Sequence, residues 1–199
     1  MNGSVFDHSQ PNVMWPDPIV VDSNMVVANF QHFYPGQDHR RVERARAFFQ
    51  RLLHDGQQGV LTPTAFSAVV HVAVRKTYEQ LVRGHRAELR RRYDAQVDGW
   101  RDVYKQDPVP LQQLAHDLNE LRESLVPYNL AIADLNDLGG SVIPDSRHSS
   151  EELIERMTRY GLDSSDAMIT IEASRLGIGA IVSMDRDMRR AVPDFDIYT

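Results

Sequence analysis

The sequence predicts an α/β fold of three layers, in which helices cover both faces of a mostly parallel central sheet of about five strands. Short apolar runs rich in β-branched residues alternate with helical patterns, which is typical of a parallel sheet. The runs are apolar throughout, as expected for strands buried on both faces. With 199 residues, 42% of them hydrophobic, the chain suits a single domain over 1–199 with a helical insertion at about 78–125.

In the first part of the chain, two strands and three helices are predicted. The first strand is PIVVD at 18–22, and apolar spacing from Met25 to Phe30 predicts a helix after it. The segment RRVERARAFFQRLLHDG at 40–56 has apolar residues three and four apart and ends in glycine, which predicts a helix. GVLTPT at 59–64 is the second strand, and a further helix begins at 65.

The middle of the chain, from 78 to about 138, has a strongly helical pattern that is interrupted by DPVP at 107–110. After the prolines, leucines recur in a near-heptad stripe. Such a stripe is expected either for a helix packed into its own core or for a dimer seam, and the spacing alone leaves both open. The stripe consists of Leu111, Leu114, Leu118, Leu121 and Leu125.

Strands and helices alternate again in the last third. We predict a strand at 139–146 (GGSVIPDS), helices at 149–162 and 163–177, a strand at 179–185 (GAIVSMD) and a final strand at 194–199 (DFDIYT). This alternation completes the five-stranded parallel sheet.

Composition restricts the class of protein. The chain has no cysteine, which excludes disulfides and thiolate metal sites and is compatible with a reducing compartment. No apolar run approaches the roughly 20 residues of a membrane span, and the N-terminal residues do not resemble a secretion signal. We therefore expect a cytoplasmic protein without a membrane partner.

Two arginine clusters stand out against a formal net charge of −6. Each is either a phosphate-binding surface or the solvated face of an amphipathic helix. Arg40, Arg41, Arg86 and Arg90 are the candidates for nucleic-acid contacts. The clusters contain Arg40, Arg41, Arg44, Arg46 and Arg51, and Arg83, Arg86, Arg90, Arg91 and Arg92.

Carboxylates occur where chemistry is expected in such a fold. Ligands of open parallel sheets bind beyond the carboxyl ends of the strands. Asp22 ends one predicted strand, Asp185 ends another, and Asp166 lies in the first turn of a helix. Converging carboxylates repel one another unless a cation neutralises them, and hard oxygen ligands favour Mg²⁺ or Mn²⁺. The pattern indicates metal-assisted phosphodiester hydrolysis.

Each acid also has a structural interpretation. Asp22 can cap the helix after its strand, and Asp163 in DSSD is favoured as the N-cap of the next helix. Asp166 can serve a helix dipole and a metal together. Asp187, in MDRD, competes with Asp185 for the catalytic role.

The sequence resembles the PIN-domain family of nucleases, which includes many prokaryotic toxins and several RNA-processing enzymes. The resemblance lies in VVDSN at 20–24, in LDSSDAMITIEASRLGIGAIVSMDRDM at 162–188 and in DFDIYT at the end. It covers about 18–75 and 125–199. The family's first acid and the small polar residue after it match Asp22 and Asn24. Its helix-opening Asp-Ala matches Asp166 and Ala167.

The remaining family signature, Thr or Ser followed two residues later by Asp, matches Ser183 and Asp185, and Asp187 matches a frequent second acid. The resemblance implies a metal-dependent ribonuclease in which Asp22, Asp166 and Asp185 hold Mg²⁺ or Mn²⁺. Asn24 and Ser183 would orient water or a carboxylate ligand. It further implies an RNA substrate, a small antitoxin partner if the protein is a toxin, and a homodimer.

The sequence departs from the family in two ways. The usual glutamate early in the third helix is absent: its position corresponds to Ala68, and no acid occurs from Gly56 to Tyr78. His71, one turn further on, is either a substitute ligand or a packing residue. The helical stretch from about 78 to 125 is longer than compact toxins need, and we expect a helical arm over the cleft.

Two alternatives follow. The missing glutamate favours a degenerate PIN domain that binds RNA or a protein without cutting. A phosphatase-like or small-molecule-binding doubly wound domain also carries aspartates at its strand ends, although DSSDA followed by SMD fits the nuclease family better.

Overall fold

The structure is a computed structural model that describes residues 3–10, 12–30, 36, 38–93, 97–107, 109–134 and 146–199, without the side chains at 109, 111–113 and 146–149. The described residues form six strands: β1 (Val5–Phe6), β2 (Ile19–Val21), β3 (Gly59–Leu61), β4 (Leu130–Ile132), β5 (Ala180–Val182) and β6 (Asp196–Tyr198). They also form seven α-helices: α1 (Ser23–Asn29), α2 (His39–Asp55), α3 (Pro63–Tyr93), α4 (Trp100–Gln106), α5 (Val109–Leu125), α6 (Ser146–Tyr160) and α7 (Ser164–Arg175).

The strands make one sheet in the order β1-β6-β5-β2-β3-β4, and every pairing among them is parallel. Apart from β1, this is the 3-2-1-4-5 order of doubly wound sheets, which reverses direction between β2 and β5. The predicted α/β class and parallel sheet are therefore confirmed, and a three-layer arrangement is compatible with the structure.

The core lies around the central strands. All residues of β2, β3 and β5 are buried, so both faces of the sheet are covered. Helix α1 packs against α2 and α3, and α6 packs against α7. In α2, the apolar face predicted from spacing is buried, with Phe48, Phe49 and Leu52 fully inaccessible. Gly56, in the left-handed conformation (φ 66°), ends this helix as predicted.

Two strands differ from the prediction. Residues 130–132, which the helical pattern placed inside a helix, form β4 beside β3. The helix ends earlier because a 3₁₀ turn containing Pro127 is followed by Asn129 with φ 54°, which redirects the chain into the sheet. The strand predicted at 139–146 lies outside the described residues, except for Ser146 at the start of α6.

Strand β1, which was not predicted, adds a sixth strand beside β6. Its two residues are too few to give a strand pattern. Arg51 holds the chain after β1: it donates hydrogen bonds to the carbonyl oxygens of Gln10 (2.8 Å) and Val13, and its guanidinium lies 4.2 Å from the centre of the Trp15 ring.

The long middle region divides between two apolar clusters. Tyr78, Val82, Leu89, Val97 and Val103 form a cluster of their own on the second half of α3 and on α4; we call residues 78–93 and 97–107 the helical arm. Helix α3 is kinked within the arm at His85. The leucines of α5 belong instead to the main core: Leu114, Leu121 and Leu125 are buried there, as the core interpretation of the stripe predicts. The side chain of Leu111 lies outside the described residues.

Within the described ranges, every helix is too short or too polar to cross a bilayer.

Candidate active site

The candidate site lies at the carboxyl ends of β2 and β5, where the strand order reverses. Val21 pairs with Val182, so the next residues of the two strands, Asp22 and Ser183, lie side by side. The amide of Asp22 donates to the carbonyl oxygen of Val182 at 3.0 Å, which extends the ladder by one more bond. Doubly wound sheets bind their ligands at this switch point.

The carboxylate of Asp22 is held by side chains from both strands. Ser183 Oγ and Asn24 Nδ2 each donate to Asp22 Oδ2 at 2.5 Å. Ser23 Oγ donates to the other oxygen at 3.2 Å. Since three donors converge on one carboxylate, its orientation is defined before any ligand binds.

Asn24 and Ser183 also join the two strand ends to each other. Asn24 Nδ2 donates to Ser183 Oγ at 3.0 Å, and Asn24 Oδ1 accepts from the amide of Met184 at 3.1 Å. The amide of Asp185 donates to Ser183 Oγ at 2.9 Å. Asn24 and Ser183 therefore each donate and accept hydrogen bonds, which fixes their rotamers.

Asp22 is only 3% exposed. Burial raises the pKa of this carboxyl; the hydrogen bonds from Ser183 and Ser23 lower the pKa, and the negative charge of Asp185 adds to the rise. Although Asp22 occupies the N-cap position of α1, its side chain makes no capping hydrogen bond to that helix. The capping interpretation of Asp22 is therefore wrong, because its oxygens face Ser183 and Asn24 instead.

Asp166 is half-buried in the first turn of α7 and faces the other acids. Burial raises its pKa to about 7, and the charges of Asp22, Asp163, Asp185 and Asp187, in that order, contribute to the rise. Within the described part of the chain, its carboxylate accepts no hydrogen bond. The ionised form of Asp166 thus has no compensating partner among the described residues.

Asp163 is the N-cap of α7. Its Oδ1 accepts from the amides of Ser165 and Asp166, each at 2.9 Å. This is the capping role favoured from the sequence. By defining the start of α7, Asp163 also fixes where the side chain of Asp166 emerges.

Asp185 and Asp187 lie on the exposed turn after β5. Asp185 Oδ1 accepts from the amide of Asp187 at 2.9 Å, at the start of the 3₁₀ turn Asp187–Ala191. Asp187 forms an ion pair with Arg190 at 2.8 Å. Since Asp187 already has a cationic partner, Asp185 is the better candidate of the two for a metal.

The aspartates share a region but are not gathered into a compact cage. Among the described residues, one group of three potential ligands has all its ligand atoms within 4.8 Å of one another: His116, Asp117 and Glu120 on α5. By spacing, this group can hold a metal ion. All three residues are exposed, and His116 and Glu120 form a helical i,i+4 pair at 3.3 Å. Asp22, Asp166 and Asp185 do not meet this spacing.

His71 and Ala68 occupy the part of α3 where the family's glutamate was expected. His71 is exposed, and its ring contacts Trp100 of the helical arm in a T-shaped arrangement at 6.1 Å between centroids. Within the described ranges, no hydrogen bond or ion pair connects His71 with the aspartates. The contact favours the packing interpretation of His71.

Glu172 is a buried acid that the sequence analysis missed. It is 5% exposed on α7, and its oxygens accept from the hydroxyl of Thr64 at 2.8 Å and from the Thr64 amide at 3.1 Å. The carboxylate thereby lies at the N-terminus of α3, where the helix dipole favours negative charge. It ties the helix carrying Asp166 to α3. The sequence feature that could have indicated a buried acid is the position of this glutamate among apolar residues in ITIEA.

The four candidate RNA-binding arginines are all exposed, on α2 and on the helical arm. Arg40 and Arg41 lie in the first turn of α2. Arg86 donates to the carbonyl oxygen of Asp98 at 3.4 Å, and Arg90 forms an ion pair with the Asp98 carboxylate at 3.7 Å. In the described structure, none of the four bonds to Asp22, Asp166 or Asp185.

No protein-family profile matches this chain, and no curated protein matches it with significance.

Proposed function

We propose that this protein is a divalent-metal-dependent endoribonuclease of the PIN type, with Asp22, Asp166 and Asp185 as its catalytic residues. One observation carries the proposal: a buried carboxylate, Asp22, is oriented by Asn24 and Ser183 at the switch point of a doubly wound sheet, next to further acids. Such a group of acids suits a reaction at a phosphate only when a cation lies between the carboxylates and the substrate.

The chemistry of these residues suits a hard divalent cation, but their ligand atoms would have to move closer together than they lie in the structure before all three could bind one ion directly. Asp166 is half-buried and accepts no hydrogen bond within the described residues, while four other aspartates act on it electrostatically. A cation would compensate for this charge, and carboxylate oxygens are the ligands that Mg²⁺ and Mn²⁺ prefer. When bound, the ion would polarise a phosphoryl oxygen and acidify a water molecule.

The residues of the chain itself would bind the cation and position its ligands. Asp22, Asp166 and Asp185 would hold the cation, and Asn24 and Ser183 keep the Asp22 carboxylate in one orientation. Asp163 sets the start of α7 and so the position of Asp166. The buried strand ends keep water away from Asp22, which strengthens its interaction with positive charge. The antitoxin partner and the homodimer remain predictions from the resemblance.

A second candidate function is an RNA-binding domain of the same type that does not cut. Two observations favour it: Ala68 replaces the expected glutamate, and the three aspartates do not meet the 4.8 Å spacing. This domain would bind RNA with the same affinity with and without metal.

Cleavage of labelled mixed-sequence RNA in Mn²⁺ tests the proposal. The native protein should cut internally, and Asp22→Asn, Asp166→Asn and Asp185→Asn should each abolish cutting. Asp117→Asn, in the exposed group on α5, is the matched control and should cut at the native rate. If all four variants cut RNA at the same rate, the three aspartates are not the catalytic residues. Binding without cutting would favour the second candidate, and turnover of phosphate monoesters without RNA cleavage would favour the phosphatase-like alternative.

A further inference from the structure

A groove of about 520 Å³ opens on the helical arm between α3 and α4. Its walls combine an aromatic ring, two guanidinium groups and a glycine that leaves open space. The lining residues are Glu79, Val82, Arg83, Arg86, Gly99 and Trp100. This composition matches single-stranded nucleic-acid sites, in which bases stack on aromatic rings and cations contact the backbone.

Trp100 is partly buried against the apolar cluster of the helical arm, and neighbouring side chains hold its ring in place where it lines the groove. The rings of His71 and Tyr104 contact it in T-shaped arrangements at 6.1 and 6.0 Å. The Arg101 guanidinium lies 5.6 Å from its centre. A ring fixed by such contacts loses little conformational freedom when a base stacks on it.

The charge of the groove is positive. Within the described ranges, Arg83 makes no hydrogen bond or ion pair, so its guanidinium is available to a ligand. Arg86 is engaged by a single long bond of 3.4 Å to the Asp98 carbonyl oxygen. Glu79, the groove's acid, is balanced by Arg75 at 3.5 Å and Lys76 at 3.8 Å. An anionic ligand therefore meets two unbalanced cations.

The groove lies further along α3 than the start of that helix. Trp100 contacts His71, about 12 Å along the axis from the start of α3, and Glu79 is about 24 Å from it, at a rise of about 1.5 Å per residue. That start contacts Glu172 on α7, the helix that carries Asp166. A ligand that reaches both places must be several nucleotides long.

We propose that this groove binds one nucleotide of a single-stranded RNA, with the base on Trp100 and a phosphate at Arg83 and Arg86. The choice of RNA rests on the proposed function. The groove would then act as an exosite that holds the strand away from the cleaved bond, which favours long single-stranded substrates over dinucleotides.

Binding of a fluorescent 15-nucleotide RNA to the full chain, in EDTA to prevent cleavage, tests the charges. The variant Arg83→Gln/Arg86→Gln should raise the Kd about tenfold at low salt. It should also reduce the slope of log K against log salt by about 1.4, the value for two lost phosphate contacts to a single strand. The control Arg122→Gln/Arg175→Gln removes the same charge from α5 and α7, outside both arginine clusters, and should leave the Kd within twofold. Equal effects of the two double variants would overturn the proposal.

Tryptophan fluorescence tests the stacking. The chain has two tryptophans, and Trp15 is buried against Phe48, so Trp15→Phe leaves Trp100 as the emitter. RNA should quench Trp100 in that variant and should not quench Trp15 in Trp100→Phe. Trp100→Leu should weaken binding about tenfold, and Trp100→Phe, which keeps an aromatic face, should restore most of the affinity. Unquenched Trp100 at saturating RNA would overturn the proposal.

The two proposals fail in different ways. If RNA binds at the groove but is not cleaved in Mn²⁺, the groove proposal stands and the nuclease proposal fails. If Arg83→Gln/Arg86→Gln cleaves RNA with an unchanged KM, the nuclease proposal stands and the groove proposal fails.

Discussion

Ser183 donates a hydrogen bond of 2.5 Å to the carboxylate of Asp22, although 161 positions separate the two residues in the sequence. The bond forms because β2 and β5 are neighbours in register, with Val21 opposite Val182. It connects the two strand ends that the candidate active site requires.

Ser183→Ala should therefore destabilise the protein and disorder its candidate site. The change removes a donor from a buried carboxylate and the acceptor of the Asp185 amide; Asn24 loses one of its two acceptors and keeps Asp22 Oδ2. We expect the free energy of unfolding, measured in urea, to fall by about 1–3 kcal/mol. Ser23→Ala removes the longer 3.2 Å bond to the same carboxylate and should cost less. Similar losses in both variants would contradict the central role of Ser183.

Asp166→Asn should stabilise the metal-free protein at neutral and higher pH. The pKa of Asp166 is raised from 3.8 to about 7 on folding, so the folded state binds this proton more tightly than the unfolded state. Its contribution to stability is therefore present below about pH 4 and is lost as the pH rises to about 7.

We expect the variant to exceed the native protein by about 2 kcal/mol at pH 8. This is half of the roughly 4 kcal/mol of the full shift, because water screens a half-buried group. Urea unfolding in EDTA between pH 4 and 8 measures the difference. Glu155→Gln, on the exposed face of α6, should show no such trend. A difference that does not change with pH would contradict the electrostatic coupling.

Mn²⁺ should raise the thermal stability of the native protein through the aspartate site. A ligand at about 100 times its Kd stabilises the folded state by about 2.7 kcal/mol. Asp22→Asn and Asp166→Asn should abolish this gain. Glu120→Gln, in the exposed group on α5, should keep it. If Glu120→Gln loses the gain in thermal stability and the two aspartate variants keep it, the metal binds at α5 instead.

Glu172→Gln should weaken the attachment of α7 to α3. The amide side chain keeps one acceptor for Thr64 but loses the negative charge at the N-terminus of α3, a loss of about 1 kcal/mol. Glu172→Ala should cost about 2–4 kcal/mol, because it also leaves a cavity and an unpaired Thr64 amide. Glu43→Gln, on the exposed face of α2, should change the free energy of unfolding by less than about 0.5 kcal/mol. If Glu172→Ala leaves the free energy of unfolding unchanged, Glu172 does not have this structural role.

Elements with a strong local pattern were predictable. The apolar spacing of α2, the capping of α7 by Asp163 and the apolar runs of β2, β3, β5 and β6 are short-range features that a sequence displays directly. Strand β4 was not predictable in this way, because it is three residues long and follows a helical pattern. Strand β1 is shorter still and forms only because β6 offers it a partner.

By itself, the sequence determined the α/β class and the placement of acids at strand ends, since hydrophobic periodicity and the ends of apolar runs are local properties. Only the tertiary structure decided which strand ends are neighbours, that the carboxylate of Asp22 accepts from Ser183, and that Glu172 reaches Thr64. These contacts join residues more than 100 positions apart, and their partners are selected by sheet order and helix packing, which no local pattern encodes.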